Sequence, residues 1–285
     1  MLDPPVFQQI AALAYRESGL KLVPEKMMMV QSRLRHRLRA LELLDFESYA
    51  SFVCSSKGKD ERRHMISALT TNVSHFFREA HHFDLLADAL LPDIRKRIDG
   101  GDHIRIWSAG CSNGQEPYSI VMHLLHKEPA LADADFKVLA TDIDPNVISF
   151  ARTATYERGH LDAVPKPLLD QFTRPGRMAD TRTMTGPVKR CVAFHELNLL
   201  ADWPMRRRFD AIFCRNVVIY FDTRTQQKLW PRFHAALADT GRFFLGHSER
   251  IADAAQNGFH SIGPTAYAKS GSAKLSEGQR TYGAT

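Results

Sequence analysis

Ile104-Arg105-Ile106-Trp107-Ser108-Ala109-Gly110-Cys111-Ser112-Asn113-Gly114-Gln115-Glu116 is the stretch that decides the fold. Its opening run suits a buried strand and dwindles to small residues, and from Gln115 to Lys127 apolar residues recur at helical spacing. Downstream the pattern repeats. Lys137–Asp142 reads as a strand, Pro145–Ala154 as a helix, and Val192–Asn198 and Phe209–Cys214 as strands. Arg224–Leu237 reads as a helix and Arg242–Gly246 as a strand, with Phe259–Ile262 and Ala266–Ala268 closing as an antiparallel pair. Such alternation predicts a mostly parallel sheet covered by helices on both faces.

Upstream, the first seventy residues show only helical period, around Gln8–Tyr15, Pro24–Leu41, Phe46–Val53 and Met65–Leu69. They predict a small helical bundle. The second of these helices carries Lys26, Arg33, Arg35, Arg37 and Arg39 and no acid up to Leu41. Solvated helices usually mix signs for i,i+4 support, so this face is a candidate for an acidic partner as well as an ordinary solvated one. Between Pro165 and Arg190 the alternation breaks in an Arg-, Thr-, Gly- and Pro-rich segment that reads as an insertion, and Gly271–Thr285 is polar and turn-rich, expected to be disordered.

The 285 residues are more comfortable as two domains than one at roughly 100–200 residues each, and 44% hydrophobic with 25% charged residues is ordinary globular composition. No apolar run approaches the roughly twenty residues that cross a bilayer, and the N-terminus lacks signal-peptide order. The four scattered cysteines form no close pair, consistent with reduced thiols in a cytoplasmic protein. A net charge of +6 favours an acidic partner without choosing its class.

Open sheets of this kind hold ligands beyond the carboxyl ends of their strands. Gly110 and Gly114 give the first such loop a close backbone approach, with free amides at a helix N-terminus for an anionic group, but it matches neither the dinucleotide nor the phosphate-loop signature. Glu116 would repel a phosphate and attract a cation, or else simply favour the helix dipole. S-adenosylmethionine, with one carboxylate, one ammonium and a sulfonium, fits that mixture. Asp142 ends the second strand, where an acid accepts bonds from ribose hydroxyls, and Asp144 reads as the next helix cap. Asn198 and Leu199 are placed to flank a purine, and Arg215, Asn216 and Tyr220 follow the fourth strand.

Ser108–Ser119, Phe209–Phe221 and Gly246-His247-Ser248-Glu249 resemble the CheR family, the chemotaxis-receptor glutamate methyltransferases, and Thr70–Glu79 looks like that family's interdomain segment, with Ser74 where threonine is expected. The resemblance implies an α/β fold. Its core would be a class I, Rossmann-like S-adenosylmethionine-dependent methyltransferase sheet (91–270) with a small antiparallel β-subdomain inserted at about 165–191. An all-α N-terminal domain (1–70) and a linker (71–90) would precede it. It also implies cofactor contacts from Asn72, Ser74 and Arg78, continuing on Gly110, Glu116, Asp142, Asn198, Leu199, Arg215 and Asn216. The basic second helix would meet the cytoplasmic domain of a chemoreceptor. The β-subdomain, with Arg174, Arg177, Arg182 and Arg190, would take up a receptor C-terminal peptide by strand addition, although solvation explains those arginines equally well.

For such a reaction the chemistry needs little. A glutamate carboxylate, with an unperturbed pKa of about 4.3, is already ionised at neutral pH, so no general base is required. Arg78 and Tyr220 are expected to close over the cofactor, and Arg97 to guide the incoming carboxylate; Tyr220 and Arg97 are the expected catalytic residues. The product would be S-adenosylhomocysteine, and the protein is expected to act as a monomer without a metal, a nucleic-acid partner or membrane insertion. Gly246-His247-Ser248-Glu249-Arg250 lacks the second glycine of a hydrolase elbow, and His81-His82 and His123-x-x-His126 lack partners at metal-ligand spacing. A non-catalytic cofactor-binding scaffold and a nucleic-acid methyltransferase are the rival readings.

Overall fold

The computed structural model describes residues 1–270, so the expected tail at 271–285 lies outside the described residues. Four helices open the chain: α1 (Pro4–Ser18), α2 (Met27–Ala40), α3 (Phe46–Cys54) and α4 (Lys59–Leu69). Asp3 caps α1 by accepting the Val6 amide at 2.9 Å, and Gly19 ends it in the left-handed region at φ +73°. A Cβ at Gly19 would come within 2.7 Å of Leu200, so the helix end sits tightly on the second domain. Ile10, Leu13, Val30, Leu34, Tyr49, Val53 and Met65 form one buried core at helical spacing.

Two of the four arginines of α2 turn inward, contrary to a uniformly partner-facing charge stripe. Arg37 donates to the buried Glu61 carboxylate at 2.9 and 2.6 Å, and Tyr49 donates to the same acid at 2.9 Å. Arg33 donates to backbone at the end of α4. Arg35 and Arg39 remain exposed and Lys26 is half-buried. The acid that balances the helix comes from α4, out of sight of any local charge count.

After an extended strip at 70–75, α5 (His81–Asp99) leads into the sheet. It continues across the expected boundary at 90/91, so the linker is shorter than its expected span to residue 90. There follow β1 (Ile104–Ala109), α6 (Gln115–Lys127), β2 (Phe136–Asp142) and α7 (Pro145–Thr153). An excursion comprises β3 (Thr155–Glu157), α8 (Lys166–Phe172), β4 (Thr173–Pro175), β5 (Thr181–Met184) and α9 (Gly186–Arg190). Then come β6 (Val192–Glu196), β7 (Phe209–Cys214), α10 (Thr223–Ala236), β8 (Leu237–Leu245), β9 (Phe259–Gly263) and β10 (Ala266–Lys269).

The main sheet runs β6-β2-β1-β7-β8-β10-β9, parallel through β8 and antiparallel at β10 and β9. The chain winds from β1 outward to β6, then crosses back to β7 on the other side of β1. The crevice therefore opens between β1 and β7, at their carboxyl ends. A second, antiparallel sheet has the order β3-β5-β4. The excursion thus starts at Thr155, ten residues before the expected start at 165, because a three-residue strand is too short to show alternation. β8 starts at Leu237 rather than Arg242, with a register shift opposite Phe209–Ala211.

Phe83, Ile106, Val121 and Phe213 belong to the core on one side of the sheet, and Trp107, Leu229, Phe233 and Phe243 to that on the other. Ile143 and Tyr220, both beyond strand ends, pack instead against the helical domain's core. That domain therefore lies over the crevice. Among the described residues no helix is long and apolar enough to cross a membrane.

Candidate active site

The glycine loop after β1 takes its shape from three left-handed positions, Gly110, Ser112 (φ +49°) and Gly114. At Gly110 (φ +86°) a Cβ would lie 2.3 Å from Val217, and at Gly114 (φ +87°) it would lie 2.9 Å from both Ala151 and Tyr156. The Gly110 and Cys111 amides donate to the Thr141 carbonyl at 2.7 and 2.9 Å, the Ser112 amide to Asp142 at 2.9 Å, and the Gly114 amide to the Cys111 carbonyl. The first three of these donors are spent on β2 and the fourth within the loop. The loop is thereby held shut on β2, and the amides left to meet an anionic group are those at the start of α6.

Glu116, in the first turn of α6, is buried, with Oε1 accepting from Ser108 Oγ at 2.7 Å and Oε2 from Arg215 Nε at 2.8 Å. Arg215 also donates to the Arg78 carbonyl at 2.7 Å and reaches His82 Nδ1 at 3.2 Å, and its guanidinium lies over the rings of Phe83 and Phe213. Burial first, and then the charge of Arg215, push the His82 imidazole down to about 4. His82 is therefore neutral at physiological pH, with Nε2 facing the Pro264 carbonyl and Thr265. Arg215 is thus a cross-tie between strand end, helix and linker, besides facing the cavity.

Asp142 is buried at the end of β2, its two oxygens accepting the Ser112 and Asp144 amides at 2.9 and 3.0 Å. Burial pushes its carboxyl above the ordinary range while those bonds oppose the shift. Each oxygen keeps a second lone pair for a ligand hydroxyl. Asp144 caps α7 at the Asn146 amide and also accepts from Asn72 at 2.8 Å and from Ser67 at 2.7 Å.

Of the twelve residues expected at the site, eleven line one cavity: Asn72, Ser74, Arg78, Gly110, Glu116, Asp142, Asn198, Leu199, Arg215, Asn216 and Tyr220. Arg97 does not. It pairs with Asp210 at 2.9 Å and donates to the His103 carbonyl, at the amino end of the parallel strands and hence the wrong end of the sheet. Asn198 lines the cavity, but its amide donates to the Glu17 carbonyl at 2.7 Å and accepts from the Leu200 amide at 2.9 Å, leaving one N–H free. Ten further residues of the wall were not expected there, among them Ser18, Leu20, Ile143, Leu197 and Val217. Ser18 and Leu20 bring the helical domain into the wall. Glu249, buried, accepts the amides of Gly246, Asn216 and Ile219 at 2.6, 2.8 and 3.1 Å and so fixes the loop that carries Tyr220. Asn216 sits there at φ +58°.

The cavity is lined by the charged Glu116, Arg215 and Arg78, by the acid Asp142, and by apolar Ile143, Leu197, Leu199 and Val217. That donor set fits an amino-acid head, a ribose and a purine together, as S-adenosylmethionine presents them. Fold and site define a class I S-adenosylmethionine-dependent methyltransferase. Residues 72–268 match the family described as CheR methyltransferase, SAM binding domain, and residues 5–70 its all-alpha domain. The chain belongs to the CheR methyltransferase family.

Its relatives include a probable chemotaxis protein methyltransferase of Rhizobium etli, 44% identical, covering 90% of this chain and 96% of that one. Chemotaxis protein methyltransferase 2 of Pseudomonas aeruginosa is 40% identical, over 92% of this chain and 91% of its own. The chemotaxis protein methyltransferase of Escherichia coli is 41% identical, over 93% and 90%.

Proposed function

We propose that this methyltransferase esterifies glutamate side chains on the cytoplasmic helices of chemoreceptors, serving adaptation in chemotaxis. The observation that carries the substrate class is the titratable content of the cavity wall: Glu116, Asp142, Arg78, Arg215 and Tyr220, with no His, Lys or Cys among the described lining residues. Amine and hydroxyl acceptors must lose a proton during methylation, whereas a carboxylate has none to lose. The relatives' link to chemotaxis supplies the receptor.

Glu116 would hold the cofactor's ammonium, Asp142 its ribose hydroxyls, and Leu199 with the free N–H of Asn198 its purine. Asn72, Ser74 and Gly110 would complete the wall, and Asn216 would position the acceptor side. Arg78 and Tyr220 would cover the mouth, excluding water and turning the incoming carboxylate toward the cavity. The cofactor supplies an activated methyl group on a sulfonium.

Docking would use the exposed Arg35 and Arg39 of α2 against acidic receptor helices. In the small sheet, β3 and β4 are the edges open to strand addition by a receptor C-terminal peptide. Arg174, Arg177 and Arg190 are exposed there, while Arg182 already donates to Thr173 Oγ1 at 2.6 Å. A monomer working in the cytoplasm completes the reading.

The deciding experiment incubates the purified chain with methyl-labelled cofactor and a receptor fragment. Label released as methanol by mild base is the expected result. Base-stable label, label on nucleic acid, or no transfer at all would overturn the proposal.

A further inference from the structure

Arg33 stands on α2, the basic helix, but its guanidinium is used elsewhere. Nη1 donates to the carbonyls of Leu69 and Thr70 at 2.8 and 2.7 Å, and Nη2 to Thr71 Oγ1 at 3.0 Å. Leu69 is the last residue of α4 and Thr70 its C-cap, already extended at φ −69° and ψ 153°. A cation at that point meets carbonyls without helical partners and the negative end of the helix dipole. Its planar fork fixes the direction in which the chain leaves the helix, which a point charge would not.

The residues that leave are the wall of the cofactor cavity. Thr70, Thr71, Asn72, Val73 and Ser74 all line it. On the sheet side this strip is held by Asn72, whose amide donates to Asp144 at 2.8 Å and whose carbonyl accepts from Ser112 Oγ at 2.9 Å. On the helical side Arg33 holds it, beside the shorter-range tie of Thr70 Oγ1 to the Ser67 carbonyl at 2.8 Å. Val73, at 77% exposure, contributes little packing of its own, so polar ties decide the path of the strip.

We infer that Arg33 is a positioning residue for the cofactor: it sets Thr70–Ser74 against the cavity and thereby makes α2 and the cofactor site one mechanically connected unit. Without it the strip starts from a freer ensemble, and binding must supply its ordering entropy. By reciprocity, an event on α2 that strains or relieves the Arg33 contacts alters cofactor affinity by the same factor that cofactor alters that event. The inference rests on the cavity being the cofactor site and is independent of which protein is methylated.

The test titrates the full chain with S-adenosylhomocysteine and follows amide hydrogen exchange at 70–74 without ligand. Arg33→Ala should raise Kd about tenfold or more, as loss of charge-assisted bonds to a wall segment implies. It should also speed exchange at 70–74. Arg33→Lys, keeping the charge without the fork, should fall between. Lys59→Ala, an exposed charge at the far end of α4, should bind as the unaltered chain does. In turnover, KM for S-adenosylmethionine should rise with kcat at saturation little changed, a split that general destabilisation would not give.

Native Kd and native exchange in Arg33→Ala would overturn the inference, as would an equal loss in Lys59→Ala. If Arg33→Ala folds poorly, Thr71→Val removes only the Nη2 contact. A smaller rise in Kd and faster exchange there support the inference, and native values in both Thr71→Val and Arg33→Lys overturn it. Failure of the unaltered chain to bind S-adenosylhomocysteine would instead sink the site assignment itself.

Discussion

Arg215 and Glu116 form a buried ion pair, Nε to Oε2 at 2.8 Å, that spans the crevice from the end of β7 to the first turn of α6. The pair neutralises itself, and Ser108 and the Arg78 carbonyl satisfy further polar atoms. What remains for a ligand is the outer lone pair of each Glu116 oxygen. Glu116→Ala should leave buried Arg215 with only the longer Glu79 contact at 3.9 Å and cost up to about 3–5 kcal/mol of stability. Glu116→Gln, which retains a hydrogen bond, should cost less but still weaken S-adenosylhomocysteine binding in calorimetry. Native affinity in Glu116→Gln would reduce the acid to a structural role.

Arg97→Ala should leave kcat and both KM values unchanged, because the side chain is tied to Asp210 at the opposite end of the sheet. Its loss should appear only in thermal unfolding, by about 1 kcal/mol, the upper end for exposed pairs because this one is partly buried. A clear fall in kcat would restore it to the site.

His82 makes stability depend on pH with a definite sign. Its folded pKa of about 4 lies below the unfolded value of 6.5. Between those values the unfolded chain binds a proton that the folded chain refuses, so stability falls as pH drops from about 6.5 to about 4 and levels off beneath. His82→Gln, which can accept from Arg215 and donate to Pro264, should flatten that part of the melting-temperature profile. An unchanged slope in this variant would assign it to other groups.

Arg35→Glu with Arg39→Glu should weaken binding to a receptor fragment, the deficit shrinking as salt rises. Surface plasmon resonance at two ionic strengths measures it. Binding that is indifferent to both charge and salt would remove α2 as the docking face.

The mostly parallel sheet and the place of eleven residues in one cavity wall were legible because each of them sits at or shortly after a strand end or in the linker, and strand ends announce themselves by local periodicity. Ser18 and Leu20 carry no such mark. Their place in the wall comes from contacts such as Asn198 to Glu17 and the Lys21 amide to the Tyr220 carbonyl, between residues roughly two hundred positions apart. Arg97 was misplaced for the converse reason: its local charge run is real, but which end of the sheet it occupies depends on the direction of α5. The partial neutralisation of α2 by Glu61, and the start of the excursion at Thr155, were hidden by distance and by brevity.

Tyr156, on the first strand of the small sheet, donates to the Asn113 carbonyl at 2.6 Å and stacks edge-on against Phe76. The excursion is therefore no detachable ornament. A minimal catalyst made by excising it from Thr155 would pull a strut from beneath the glycine loop, and even a cut placed after Glu157 would strip β3 of its partner β5 and take Leu168, Phe172, Met184 and Val188 out of the core.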